Sequence, residues 1–261
     1  MRVAFTIIYD GFHHLTHNGF ADFMLQNFDK WVVVEGHARA GGSTAWCKNL
    51  GLPQRSTDGT HEYLLYLASN HEKLIYFSKG TYWNSKDQQV NKAIEIIKTL
   101  TDSCYLWQVD VDEQYSPCDL LKAEIALDKS GLKAGQVKFN HYLCVNDKGK
   151  QLIATGDWGS GSHIRLWKWS GEWFISHEPP KIEGQTDVAD LPVKYNHYSY
   201  FFEKDVLFKD KYYGYHNLHY HWTKLKSFDG DFPRPITDLF GKKNKRISKN
   251  SQIEVYNESG N

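Results

Sequence analysis

CYLWQVDVDE, residues 104–113, decides how the chain reads. Its first six residues are an apolar run of the length of a buried strand, and Asp110, Asp112 and Glu113 follow without a break. In extended chain, residues two apart share a side, so Asp110 and Asp112 are expected to converge while Val111 turns away. Two carboxylates held close repel each other unless a cation offsets their charge. Oxygen-only ligands suit Mg²⁺ or Mn²⁺, which also bridge to phosphate oxygens. Asp-x-Asp is common in solvated surface turns. Its position after a buried strand favours the metal reading, because open α/β sheets bind ligands beyond the carboxyl ends of their strands.

The residues upstream fit such a sheet. Residues 3–9 (VAFTIIY), 31–35 (WVVVE) and 73–77 (KLIYF) read as buried strands. A helix is expected between the first two. Another starts in the Ser56-Thr57-Asp58-Gly59-Thr60 turn and runs to about Ala68. Val90, Ala93, Ile94 and Ile97 have helical spacing and place a helix at 85–99. Residues 36–57 read as a long irregular loop carrying His37, Arg39, Lys48 and Arg55, of the kind that is often functional.

The C-terminal half is less regular. Residues 136–142 read as a strand. Residues 163–169 and 172–176 read as a hairpin turning at Ser170-Gly171. Residues 195–202 are aromatic and extended, and 206–213 form a short helix. The expected organisation is one α/β domain over 1–240, with a mostly parallel central sheet flanked by helices. Its nucleotide-sugar half is 1–115 and its acceptor half 116–240. Residues 241–261 read as a basic, disordered tail.

Lysine plus arginine equals aspartate plus glutamate at 31 each, which argues against nucleic acid as a partner. The four cysteines form no CxxC pair, so they suggest neither a zinc site nor a disulfide framework, and reduced thiols point to the cytoplasm. No stretch approaches the length of a membrane span. Nine tryptophans suit either a bulky core or a surface that stacks on flat rings.

The order of these motifs resembles glycosyltransferase family 2 and related enzymes of the GT-A fold, in particular a bacterial and viral subgroup. The resemblance runs over residues 1–215. It rests on a second strand ending in Glu35, the Ser56 to Thr60 turn, Lys86 and Asn91 in WNSKDQQVNKA, the LWQVDVDEQ segment, and HYSYFFEKDVLFKDKYYG from residue 197. The link over 36–55 is longer than usual, and Glu35 stands where Asp is commoner. The resemblance implies a UDP- or GDP-sugar donor, a glycan or other hydroxyl acceptor, Mn²⁺ or Mg²⁺, and inversion at the anomeric carbon. It implies that Glu35 and Asp58 line the nucleoside pocket and that Lys86 lies near the diphosphate. Asp110 would contact the ribose or the metal shell, and Asp112 would ligate the metal, with His197 as a further ligand.

Transfer also needs a base for the acceptor hydroxyl. Glu178, in the stiff Ser176-His177-Glu178-Pro179-Pro180 segment, is the first candidate, and Asp157 beside Trp158 the second. Trp158, Trp167, Trp173 and His177 are candidates to frame the acceptor. Arg165 could meet a phosphate or form a surface ion pair. Two rival readings remain at this point. His216, His219 and His221 have a spacing that can bind zinc, as in a zinc-dependent hydrolase, and the tryptophans suit a non-catalytic carbohydrate-binding module.

Overall fold

The computed structural model describes residues 1–159, 161–241 and 250–256. The first elements are β1 (Arg2–Ile8), α1 (Phe12–Thr16), α2 (Phe20–Asn27), β2 (Lys30–Glu35), α3 (Thr60–Asn70), β3 (Leu74–Ser78), α4 (Lys86–Lys98), β4 (Cys104–Gln108), β5 (Glu113–Gln114) and α5 (Pro117–Ser130). There follow β6 (Ala134–Val145), β7 (Gln151–Thr155), α6 (Gly156–Gly159), β8 (Ser162–Trp169), β9 (Phe174–His177), β10 (Pro180–Ile182) and β11 (Val188–His197). The chain ends with α7 (Glu203–Tyr212), α8 (Leu218–Lys226), β12 (Arg234–Pro235), α9 (Thr237–Phe240) and β13 (Gln252–Val255). Two compact units result, one of residues 1–137 and 163–193, the other of 138–162 and 194–261.

The first unit carries the expected sheet, in the order β8-β4-β1-β2-β3. Strands β4, β1, β2 and β3 are mutually parallel and β8 is antiparallel to β4. Val3, Ala4, Phe5 and Thr6 are all fully buried, as a central parallel strand requires. Thr6 is the polar exception. Its hydroxyl donates to Val109 O at 2.6 Å and accepts from Trp31 Nε1 at 2.9 Å, which satisfies both groups. Helix α4 forms where the spacing placed it. Ser85 caps it by accepting from Gln88 N at 3.2 Å, and Val90, Ala93, Ile94 and Ile97 are fully buried. Trp31, Trp107, Trp167 and Trp169 are core residues, so Trp167 does not frame an acceptor.

The expected 163–176 hairpin does not form. Strand β8 pairs with β4, while β9 pairs with β10 in a separate two-stranded sheet. Asn91 explains the difference. Its side chain donates to Phe174 O at 2.9 Å and accepts from Phe174 N at 3.0 Å, fixing β9 on α4. The Phe174 ring then packs at 5.4 Å from Phe5 and 5.0 Å from Trp167.

Glu172 closes the turn between β8 and β9. It accepts from Lys133 Nζ at 2.6 Å and from Ser170 N at 2.8 Å. Burial pushes its carboxyl up, but Lys133 and Ser170 outweigh burial and hold it at about 2. A folded pKa below the unfolded value contributes stability that is complete above about pH 4–5 and lost as pH falls through about 2. Lys133 is half-exposed, so the contribution is discounted to about 1 kcal/mol. Glu172→Gln is therefore expected to flatten the acid limb of a urea-denaturation series between pH 5 and 2. Identical acid limbs would refute this.

The second unit holds the antiparallel order β12-β13-β7-β6. Strand β13 lies in the segment expected to be a disordered tail. It pairs with β7 from Gln252↔Thr155 to Val255↔Leu152, and Ile253 is fully buried with Leu143, Leu152, Val206, Leu218 and Trp222. Residues 242–249 and 257–261 of that segment lie outside the described residues. No helix among the described residues is long and apolar enough to cross a membrane.

Candidate functional site

In the first unit, β1, β2 and β4 all deliver chain to one end of the parallel sheet. There β1 passes into Tyr9-Asp10-Gly11, β2 into the 36–57 loop, and β4 into the acidic cluster. The cluster is not extended, as the residue alternation led one to expect. Glu113 N donates to Asp110 O at 3.0 Å, so residues 110–113 turn. Asp110 thereby converges with Glu113 on Arg165.

Arg165 is not half of a surface pair; its ion pairs are buried or part-buried. It is 5% exposed and grips the fully buried Glu113 carboxylate with Nε at 2.9 Å and Nη2 at 2.7 Å. The same Nη2 reaches Asp110 Oδ2 at 2.8 Å. Tyr115 OH adds a bond to Glu113 Oε2 at 3.2 Å. Burial pushes the Asp110 carboxyl up to about 6, with Arg165 pulling down and Glu113 and Asp112 pushing further up. Lys86, the first residue of α4, lowers it as well, with the smallest effect of these groups.

Glu35 has a different task from the nucleoside contact that the resemblance implied. It is fully buried, and both oxygens bond to protein groups: Oε1 accepts from Ser56 N at 2.6 Å, and Oε2 from Ser78 Oγ at 2.7 Å. It fixes the Ser56 to Thr60 turn. Asp58 is part-exposed at that turn and accepts from Thr60 Oγ1 at 2.6 Å and Phe12 N at 3.2 Å. Asp10, with φ of 50°, accepts from Thr57 N at 2.8 Å and lies on the same rim. Tyr9 stacks obliquely on the buried His37 at 4.9 Å. Burial, Arg39 and Lys86 together push the His37 imidazole towards its neutral form.

Glu178 is exposed in the turn joining β9 and β10 and is joined to Pro179 by a cis bond. Its backbone is tied to the sheet end through Asp87. Asp87 accepts from Ser43 N and from His177 N, each at 2.8 Å, and Ser43 Oγ accepts from Glu178 N at 3.2 Å. His177 is buried, and desolvation, Lys86 and Arg165 hold it well below the usual imidazole range. Gly42 makes this tie possible. Its φ is +54°, and a Cβ there would lie 1.9 Å from Asp87 Oδ2. Gly42→Ala is expected to break the Ser43–Asp87 contacts and destabilise the protein by about 1–3 kcal/mol. Thermal unfolding measures this, and an unchanged midpoint would rule the tie out.

Other sequence candidates lie in the second unit. The His197 ring stacks on His141 at 4.7 Å and meets Phe139 edge-on at 5.2 Å. Asp157 is exposed in α6. Trp158 stacks on His141 at 4.2 Å. Trp173, in the first unit, is part-exposed under Lys98 Nζ at 3.6 Å from its ring. Among the described residues, His216, His219 and His221 do not form a group with ligand atoms within 4.8 Å of one another. His216 precedes α8, while His219 and His221 are two apart on it and point to different sides. His219 Nε2 pairs with Glu203 Oε1 at 2.7 Å instead.

Sequence reasoning noted Arg165, Glu113 and His177 without their roles, and it passed over Asp10 and Asp87. The signal for the last two was their setting, one in an Asp-Gly pair closing β1 and the other in the first turn of a capped helix beside Lys86.

No family model matches the chain, and no curated protein matches it. Among solved structures, the chain is similar to S. aureus TarS 1–349, with 12% identity over 85% of this chain and 70% of that one and a TM-score of 0.43.

Proposed function

We propose that the protein is a glycosyltransferase that moves a sugar from a UDP- or GDP-sugar to an acceptor hydroxyl. One observation carries the reading: α4, a thirteen-residue helix that opens on Lys86, is tied near its start to the chain leaving β2 by Gln89 Nε2 donating to Gly36 O at 2.7 Å, at the sheet end where β4 passes into the Asp110 turn. A cation and a helix N-terminus suit a diphosphate, and the adjoining acids suit a metal bound to that diphosphate.

The acids fit a divalent ion by charge. Asp110, Asp112 and Glu113 carry three negative charges against Arg165 and Lys86, and the repulsion among them adds to burial, the larger cause, in raising the Asp110 pKa. Asp112 is the main ligand in this reading, with Asp110 contributing beside its Arg165 bond. The ion, Mn²⁺ or Mg²⁺, would stabilise charge on the leaving diphosphate. His197 has no part in the proposed shell, which draws on the first unit alone.

The chain's own groups supply the rest. Asp58 and Asp10 on the rim of β1 and β2 address the nucleoside, with Glu35 as their support. Lys86 and the α4 N-terminus meet the negative charge that grows as the sugar–phosphate bond breaks. The acceptor oxygen attacks the anomeric carbon, and Glu178 takes its proton. A single displacement of this kind inverts the centre. Asp157, like His197, lies in the second unit and has no part in the proposed site. Glu178 is preferred because its backbone is tied through Ser43 and Asp87 to the residue next to Lys86.

A panel of nucleotide sugars with Mn²⁺ tests the reading by thermal shift and donor hydrolysis. At least one UDP- or GDP-sugar is expected to raise the melting temperature only with metal present. A panel without any shift would defeat the proposal. Zinc content without nucleotide binding would favour the hydrolase, and sugar binding without either would favour a binding module.

A further inference from the structure

Residues 36–57 contain three full cations, Arg39, Lys48 and Arg55, and no aspartate or glutamate, in a chain whose acids and bases are equal overall. All three side chains are exposed, and none makes an ion pair among the described residues. The segment is nonetheless folded. His37 N donates to Gln54 O at 2.9 Å, Ala40 N to Asn49 Oδ1 at 2.7 Å, and Tyr82 OH to Leu52 O at 2.9 Å. These bonds draw the chain at Arg39 towards the chain at Lys48 and at Arg55. The Arg39 guanidinium is oriented by the Tyr82 ring, 4.7 Å away. The same loop exposes half of Trp46, three residues beyond the Ser43 that is bonded to Glu178 N. Like charges gathered without a counter-charge cost free energy that an anionic ligand recovers. Arginine forks suit phosphate and carboxylate, and an exposed indole offers a flat face to a sugar ring.

We propose that residues 36–57 form the acceptor-binding element and take an anionic glycan, with Arg39, Lys48 and Arg55 meeting its phosphate or carboxylate groups and Trp46 stacking on a sugar ring. The word acceptor rests on the transferase reading; the binding does not. Lys86 serves the donor, so these outer cations address a second anion. A neutral glycan has no use for them, and the chain lacks the basic excess that nucleic-acid binding usually shows.

The test titrates the full chain with phosphomannan, oligogalacturonate, neutral mannan and an oligo-dT strand, at low and high salt, by calorimetry and tryptophan fluorescence. One of the two anionic glycans is expected to bind at least about tenfold more tightly than mannan at low salt, and the stronger one identifies the anion. The triple variant Arg39→Gln, Lys48→Gln, Arg55→Gln is expected to lose about tenfold in that binding. Trp46→Ala is expected to weaken both mannan and anionic glycan and to abolish the fluorescence change. The triple variant should keep the wild-type melting temperature, and both variants should keep any metal-dependent shift by a nucleotide sugar. Equal binding of charged and neutral glycans, no glycan binding, an unaffected triple variant, or tighter binding of oligo-dT would each overturn the proposal. Loop-dependent glycan binding without any nucleotide-sugar binding would sink the transferase reading and leave the glycan surface standing.

Discussion

Arg165→Met is expected to cost about 3–5 kcal/mol of stability, the largest loss from any single change considered for this protein. The substitution leaves Glu113 fully buried and without the guanidinium, with Tyr115 OH at 3.2 Å and the His163 ring at 3.9 Å beside it. An ionised carboxylate in that position has lost its principal counter-charge, and a protonated one must take up a proton at neutral pH. Either way the folded state pays a free-energy penalty that the unfolded chain does not. For a chain of this size, about 2–4 °C accompany each kcal/mol, so the midpoint should fall by roughly 10 °C. The double variant Arg165→Met, Glu113→Leu provides the control. A buried ion pair replaced by apolar groups of similar size is often neutral, so the double variant should recover most of the loss. Asp110 keeps a side chain 27% exposed and can be solvated once Arg165 is gone. Urea denaturation of the four proteins closes the cycle. Additive losses would mean that Arg165 and Glu113 do not act as one clamp.

The two kinds of information in the chain explain what the sequence revealed. Strands β1, β2 and β4 and helix α4 are legible because their burial is a local pattern. Four consecutive buried residues in β1, or Val90, Ala93, Ile94 and Ile97 along α4, can be read from spacing alone. The location of Asp110 and Lys86 followed, since both sit at the ends of such elements. Partners distant in sequence were not legible. Arg165 and Glu113 are separated by 52 positions, and nothing in either neighbourhood marks the other. Residues 163–176 looked like a hairpin because a turn lies between two apolar runs, yet Asn91, on α4, diverts the second run to a different sheet. Strand β13 was missed for the opposite reason. Its polar, basic flanks outweigh a four-residue strand in any composition window, while its buried side chain, Ile253, is decided by pairing with β7. Glu35 shows the limit of reading a role from a strand end. The position was right, but burial turned a proposed ligand contact into a support for the Asp58 turn.

Asp112→Ala is expected to remove metal-dependent nucleotide-sugar binding and to lower kcat/KM by about 10²–10³-fold, equivalent to about 3–4 kcal/mol of transition-state stabilisation. Asp110→Asn should do less to the metal. One oxygen of Asp110 is already engaged by Arg165 at 2.8 Å, so a metal there shares a carboxylate whose charge is partly offset. The asymmetry between the two acids is the informative part, because a surface turn that merely attracts cations would respond about equally to losing either charge. Lys86→Ala separates the diphosphate from the metal. It should weaken donor binding and slow transfer while leaving Mn²⁺ affinity, read by electron paramagnetic resonance, within about threefold, since Lys86 has the smallest effect among the groups that act on Asp110. Equal losses of Mn²⁺ affinity in Asp110→Asn and Asp112→Ala would remove the assignment of Asp112 as the main ligand. Unchanged donor binding in Lys86→Ala would remove the diphosphate from the α4 N-terminus, and with it the observation on which the transferase reading stands.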